Sequence, residues 1–140
     1  MKSQHPTPVT TPLTQPQVDH AATGRFVLQR CTVDATTWYP PSTHCPTCLG
    51  TDYDWAPASG RATLWSWVII HQPYLKAFAD ELPYLVAYVQ LEEGPLLIST
   101  MVGVDRTELE IDLSLELQFD RYGVGDIPMP VFRPASNPSA

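Results

Sequence analysis

Residues 31–48, CTVDATTWYPPSTHCPTC, contain all three cysteines of this 140-residue chain. Cys45-Pro-Thr-Cys48 has the CxxC spacing of a zinc knuckle, a tight turn that points two thiolates at one metal ion. Cys31-Thr-Val-Asp34 repeats this spacing, with an aspartate at the position of a second cysteine. Because carboxylates also bind zinc, the pattern predicts a structural zinc site formed by Cys31, Asp34, Cys45 and Cys48.

Two alternatives to this site stay open from the residues alone. His44 directly precedes Cys45 and is a second candidate for the fourth ligand position. A degenerate ribbon that folds without metal is the other interpretation, because a complete structural site needs four ligands. A redox-active CxxC is disfavoured, since the surrounding sequence lacks the βαβ pattern that accompanies such motifs.

The composition limits the classes of partner. The formal net charge is −7, from 15 acidic and 8 basic residues, which argues against a nucleic-acid partner held by phosphate neutralisation. The longest apolar run, residues 64–70, is too short to cross a bilayer, so we expect no membrane partner. The first residues show no apolar signal region and the cysteine count is odd, so we expect a reducing, cytoplasmic location.

The chain divides into four segments by composition. Residues 1–20 are rich in Pro and Thr and predict a disordered tail, because such a segment buries too little apolar surface to offset its ordering entropy. Residues 21–59 form the zinc-ribbon segment, and a helical turn is expected over 18–24. Residues 60–135 predict a barrel, and residues 136–140 a short second tail.

The barrel segment predicts five strands in an all-β fold. They are residues 61–71, 84–91, 96–102, 111–119 and 128–134. The fourth strand alternates apolar and polar residues, which indicates one buried and one wet face. The last contains prolines and is expected at an edge. Five strands with a helical turn over 105–109 fit a small barrel of the OB type.

No group of residues predicts catalysis by this chain alone. The sequence has no G-x-S-x-G elbow, phosphate-binding glycine loop or HExxH motif, and His71 is expected in the core or at the rim. Trp65, Trp67, Tyr84 and Tyr88 are candidates for a base-stacking platform, which would make the chain a nucleic-acid-binding protein. Core and interface roles are favoured, because the chain is acidic.

Several motifs together resemble a family of small acyl-CoA-associated proteins, formerly a domain of unknown function. Its members join a rubredoxin-like zinc ribbon to an OB-fold. The similar residues span 24–135 and include LQRC (28–31), WYPP (38–41), CPTC (45–48), GRATLWSW (60–67), LPYLVAYVQL (82–91), EGP (93–95) and PVFRP (130–134). Asp34 departs from the pattern, which usually has a second ribbon cysteine there, and Asp112 stands where glycine is common.

The resemblance implies a function that composition and spacing do not. Members of this family accompany thiolase-superfamily enzymes, including lipid-transfer-protein-like aldolases that cut steroid side chains from coenzyme A thioesters. The resemblance therefore implies a non-catalytic subunit that helps to assemble the complex and shape its acyl-CoA site. We expect Arg61, Arg121 and Arg133 to face the coenzyme A phosphates, and the tail to lie along the partner enzyme.

Overall fold

The structure, a computed structural model, describes residues 5–122 and 127–135. In these residues one α-helix and eight strands follow each other: α1 (Gln15–Ala22), β1 (Val27–Cys31), β2 (Thr37–Trp38), β3 (Tyr53–Pro57), β4 (Arg61–Ile70), β5 (Tyr84–Leu91), β6 (Leu96–Ser99), β7 (Ser114–Tyr122) and β8 (Ile127–Pro134). Short 3-10 turns occupy Lys76–Glu81 and Arg106–Glu108. The predicted all-β fold class is confirmed.

The first three strands form the ribbon. They make an antiparallel sheet in the order β2-β1-β3. Gln29, at the centre of β1, is fully buried. Its side-chain amide donates to Ser42 O at 2.7 Å and accepts from Ser42 N at 2.8 Å. These two bonds fix the loop that leads from β2 to the second cysteine knuckle.

The other five strands form the barrel. Their order is β6-β5-β4-β7-β8, and every neighbouring pair is antiparallel. The inner face is apolar and includes Leu64, Val89, Leu115 and Phe132, each at most 1% exposed. This core buries the inward half of each alternating strand, which is the main stabilising contribution to such a fold.

The barrel closes only partly between its end strands, β6 and β8. Phe132 N donates to Thr100 O at 3.1 Å, and Val102 N donates to Phe132 O at 2.8 Å. Continued towards β6, this parallel ladder would reach Pro130 O, which accepts from Ser99 Oγ at 2.6 Å, and would then need an N–H at residue 130 directed at the carbonyl of Ile98. A proline has no N–H to donate there. We call the gap that begins there the seam.

A β-bulge at Trp65 places the aromatic residues that were candidates for base stacking on different faces of the sheet. The β4–β5 register shifts between Leu64 and Ser66, so Trp67 packs against the core. Trp65 lies outside and meets the Tyr88 ring edge-to-face, with centroids 5.3 Å apart. The aromatics therefore lie on different faces and do not form one flat platform for bases.

The structure differs from the predictions at several element ends. Ile111 is 59% exposed and precedes β7, because Asp112 adopts a positive φ of 66° and ends the extended backbone there. The third barrel strand ends at Ser99 rather than residue 102. The helix begins at Gln15, within the predicted disordered tail.

The N-terminal segment packs on the rest of the chain. Pro16 lies in the first turn of α1, where its missing N–H costs no helical bond, and Ala21 is buried. His5 is also buried, contacts Glu81 and lies 4.2 Å from the Phe78 ring. Residues 15–20 are helical in this structure, while residues 1–4 and 136–140 of the two predicted tails lie outside the described residues. No helix in 5–122 and 127–135 combines the length and apolar character that a bilayer crossing requires.

Candidate metal centre

Four side chains from two turns converge at one end of the ribbon. One ligand atom from each of Cys31, Asp34, Cys45 and Cys48 lies within 4.8 Å of all the others. Cys31 Sγ is 3.6 Å from Cys48 Sγ, and Cys45 Sγ is 3.7 Å from both carboxylate oxygens of Asp34. Tetrahedral zinc with bonds of about 2.0–2.3 Å places its ligand atoms about 3.3–3.8 Å apart. The Cys31–Cys48 and Cys45–Asp34 separations match this geometry, and all four ligand atoms lie close enough together to surround one zinc ion.

The second turn has the geometry of a metal knuckle. Thr47 N donates to Cys45 Sγ, and Gly50 N donates to Cys48 Sγ, each at 3.4 Å. Leu49 N donates to Cys45 O at 2.9 Å, and Leu49 has a φ of 63°. The backbone thus wraps around both sulfurs and supplies N–H donors to them.

The first turn repeats this geometry with an aspartate. Val33 N donates to Cys31 Sγ at 3.4 Å, and Thr36 N donates to Asp34 Oδ1 at 3.0 Å. Ala35 N donates to Cys31 O at 3.0 Å, and Ala35 has a φ of 64°. Asp34 therefore holds the place in its knuckle that Cys48 holds in the other.

The electrostatics of the cluster favour a bound cation. The backbone N–H and hydroxyl of Thr36 hold the pKa of Asp34 at about 2, so this side chain is a carboxylate at neutral pH. Burial opposes ionisation of Cys45, but the N–H groups of Cys48 and Thr47 lower its pKa overall. Gly50 N–H favours the Cys48 thiolate, yet the neighbouring Cys31 raises the Cys48 pKa to about 11. A divalent ion would remove this conflict, because coordination deprotonates a thiol.

An apolar shell closes the site on its inner side. Cys31, Trp38 and Cys45 form one buried cluster, and Tyr53 packs against it with its ring 5.8 Å from that of Trp38. His44 is exposed, its Nδ1 is hydrogen-bonded to Thr43 Oγ1 at 2.7 Å, and it lies outside the four-residue cluster. If all four side chains bound one zinc ion, no position would remain for a substrate, as in structural zinc sites.

Sequence reasoning did not identify Gln29, Thr36 and Thr47 as supports of the centre. Thr36 Oγ1 donates to Thr47 Oγ1 at 3.2 Å and so links the two knuckles. One sign in the sequence indicates that Gln29 is buried: it is a polar residue that directly follows the apolar Val27 and Leu28. Such a residue is buried only when its amide is satisfied, and the sequence does not show the loop that satisfies it.

Two of the three predicted coenzyme A arginines come together. Arg61 and Arg133 lie on the strands that flank Glu116, in register with it. Arg133 Nη2 is 2.9 Å from Glu116 Oε2, and Arg61 Nε is 2.6 Å from Glu92 Oε2. Arg121 lies five residues further along β7, opposite Pro128. Their role towards coenzyme A stays a prediction.

Replacing Ala35 or Leu49 with glycine should stabilise the ribbon. Both residues have a positive φ, near 64° and 63°, where a side chain costs about 1–2 kcal/mol relative to the right-handed region. We expect each variant to gain roughly 0.5–1 kcal/mol in the free energy of unfolding, measured by denaturant titration of zinc-loaded protein. Val33→Gly is the control and should lose stability, because Val33 is exposed without a positive φ. Equal losses in all three variants would contradict the prediction.

Two family models match the two parts of the chain. The model of the ChsH2 rubredoxin-like zinc ribbon domain matches residues 18–54, and that of the ChsH2 C-terminal OB-fold domain matches residues 55–120. The ribbon match contains all four members of the metal cluster. The resemblance drawn from the sequence motifs is therefore confirmed.

Curated relatives carry names of two kinds. A probable enoyl-CoA hydratase alpha subunit from Thermomonospora curvata is 37% identical over 111 residues, which cover 79% of this chain and 34% of that protein. A DUF35 domain-containing scaffold protein from Pyrococcus furiosus is 28% identical over 92 residues, covering 61% of this chain and 67% of the relative. The chain thus spans about a third of the length of the Thermomonospora protein.

Two solved structures share the fold. A chain described as Ltp2-ChsH2(DUF35) aldolase matches with a TM-score of 0.80 and 33% identity, over 93% of this chain and 100% of that one. A DUF35-family protein of unknown function from Sulfolobus solfataricus matches with a TM-score of 0.62 and 12% identity, over 90% of this chain and 87% of that one. The second likeness concerns the fold alone. Together, the matched ribbon, the matched barrel and the aldolase chain place this protein in the ChsH2 family of DUF35 proteins.

Proposed function

We propose that this chain is a non-catalytic accessory subunit of a thiolase-superfamily enzyme that acts on acyl-CoA thioesters. The observation that carries the proposal is the structural match, over 93% of the chain, to a chain described as Ltp2-ChsH2(DUF35) aldolase. The names of the sequence relatives, a hydratase subunit and a scaffold protein, support the same role. A retro-aldol lyase or acyltransferase of steroid side-chain degradation is the reaction we assign to the complex.

The chemistry of the metal cluster supports an accessory role. Its four side chains would hold a zinc ion in a closed structural site, which stabilises the ribbon but offers no open position for a reacting group. His71 directly follows β4 and is exposed, with no catalytic partner group identified beside it in the described part of the chain. In this proposal the reacting groups belong to the partner enzyme.

The test is co-expression with the thiolase-superfamily protein encoded nearest to this chain. We expect the two proteins to co-elute in gel filtration, with a mass by light scattering that corresponds to a hetero-oligomer. The isolated chain should turn over no acyl-CoA, whereas its addition should raise the activity or thermal stability of the partner. A chain that stays monomeric and never co-elutes would contradict the proposal, as would turnover by the isolated chain that His71→Ala abolishes.

If the chain instead bound nucleic acid, the purified protein would bind single strands in a binding assay. An OB-fold that binds single strands combines stacked aromatics with a basic groove, and its affinity falls steeply with salt. We expect little binding of single-stranded DNA or RNA at physiological salt, because the net charge is −7. Submicromolar binding with a steep salt slope would replace the accessory-subunit proposal.

A further inference from the structure

Three neighbouring strands of the barrel lack charged side chains over most of their length. Residues 62–70 of β4, all of β5 and all of β6 contain no Asp, Glu, Lys or Arg. The outward positions of β7, in contrast, include Glu116 and Asp120. An antiparallel sheet with one solvated face normally places polar side chains outward. The outward face of β4–β6 is therefore uncharged, unlike that of β7.

The outward side chains of these strands form an uncharged and mostly apolar patch, in which Ser66 lies opposite Tyr88. We call it the outer face and define it by Trp65, Val68, Val86, Tyr88 and Ile98. Val68 lies opposite Val86, and Tyr88 lies opposite Ile98, so the side chains are cross-strand neighbours. Trp65, Val68 and Ile98 are 49%, 54% and 70% exposed. Contiguous exposed apolar surface of this kind marks an interaction site.

A cavity in the seam opens beside the outer face. Its volume is about 290 Å³, and Val86 and Ile98 line both the cavity and the face. Two of its hydroxyl groups are already used, since Ser99 Oγ donates to Pro130 O at 2.6 Å and Thr100 Oγ1 donates to Leu85 O at 2.7 Å. The volume lies just below the range of about 300–1,000 Å³ found for small-molecule sites. The cavity is therefore large enough to hold one large apolar side chain.

We propose that the outer face is the surface on which the thiolase-superfamily partner docks. An uncharged patch of the partner lies on the five side chains, and one large apolar side chain of the partner fills the seam cavity. This inference rests on the proposed function and adds the location and chemistry of the interface. Large apolar anchors seated in pockets carry most of the affinity in such interfaces.

The charges around the outer face decide between a different protein and a second copy of the chain. Asp80 and Glu81 precede β5, with Glu81 in contact with His5, and Glu93 follows β5 beside the Arg61–Glu92 ion pair, so acidic residues outnumber basic ones at both ends of the central strand. Two copies would bring these ends, and two net charges of −7, towards each other. A different protein with basic side chains around an uncharged patch would instead gain from complementary potentials.

The experiment introduces charge into the outer face and measures the affinity for the co-expressed partner. In Val68→Glu/Ile98→Glu, two exposed apolar side chains become carboxylates that docking would have to desolvate. We expect the partner affinity, measured by titration calorimetry, to fall on the order of a hundredfold. Ser114→Glu/Gln118→Glu adds the same charge to outward positions of β7 and should leave the affinity within about threefold.

Folding is checked separately from binding. Zinc content and the unfolding midpoint are measured for each variant, and Val68→Ser/Ile98→Ser replaces the glutamate pair if that pair is unstable. Unchanged affinity in a folded outer-face variant, with a wild-type complex present, would overturn the docking surface and leave the proposed function standing. Equal weakening by the β7 control would also overturn it, because net charge would then be the cause. Absence of a wild-type complex would overturn both proposals.

Discussion

Cys45→Ser should lose its zinc and unfold the ribbon while the barrel keeps its structure. The Cys45 side chain is fully buried, and its sulfur lies within reach of the Asp34 carboxylate and of the backbone N–H groups of Thr47 and Cys48. Structural zinc supplies about 10–16 kcal/mol of apparent binding free energy in small zinc domains. The ribbon has only a few buried side chains of its own, so we expect it to depend on this contribution.

Two measurements separate the ribbon from the barrel in this variant. Elemental analysis of chelator-free wild-type protein should give about one zinc per chain, and Cys45→Ser should give close to none. Amide exchange should become fast in β1–β3 and stay slow in β4 and β5. His44→Ala is the control and should retain zinc, since His44 lies outside the cluster. A folded wild-type ribbon without zinc would instead favour the metal-free interpretation.

Phe132→Ala should be the most damaging single substitution in the barrel. Phe132 is fully buried, faces Leu117 on β7 and supplies both backbone bonds that join β8 to the chain after β6. Truncation of a buried phenylalanine costs about 3–5 kcal/mol, which is a large share of the roughly 5–15 kcal/mol that stabilises a domain. The variant should therefore unfold at a much lower denaturant concentration.

The unfolding of this variant is followed by circular dichroism in urea. Ile98→Ala removes an apolar side chain of the same sheet that is 70% exposed, and it should change the free energy of unfolding by no more than about 0.5 kcal/mol. A loss below about 1 kcal/mol in Phe132→Ala would show that β8 is not part of the cooperative core.

The metal cluster was predictable because knuckle spacing alone determines where its ligands point. CxxD and CxxC each close a turn around one point, and the structure brings all four predicted ligands together. The arginines were not predictable in the same way. Their separation depends on strand register, and Arg121 lies five positions from Glu116 along β7. No short sequence motif predicts which residues of neighbouring strands lie opposite each other.

Regular alternation of apolar and polar residues predicted which side chains of a barrel strand face the core. Strands without this alternation could not be oriented from the sequence. Leu115, Leu117 and Phe119 alternate with polar residues and face the core as expected. In β4, apolar residues occupy both faces, so the sequence contains no sign of the bulge at Trp65. The N-terminal helix was predicted only as a turn over 18–24, and its start at Gln15 was missed, because the stability of such a short helix comes from packing rather than from its own composition.

The missing N–H of Pro130 affects which part of the barrel opens first. Among the strands that the structure describes, β6 has a continuous hydrogen-bonded neighbour only on its β5 side, since the parallel bonds to β8 begin after its last residue, Ser99. Local opening is easiest where few backbone bonds must break together. The amide protons of β6 should therefore reach solvent before those of β5, and the barrel would open first along the seam.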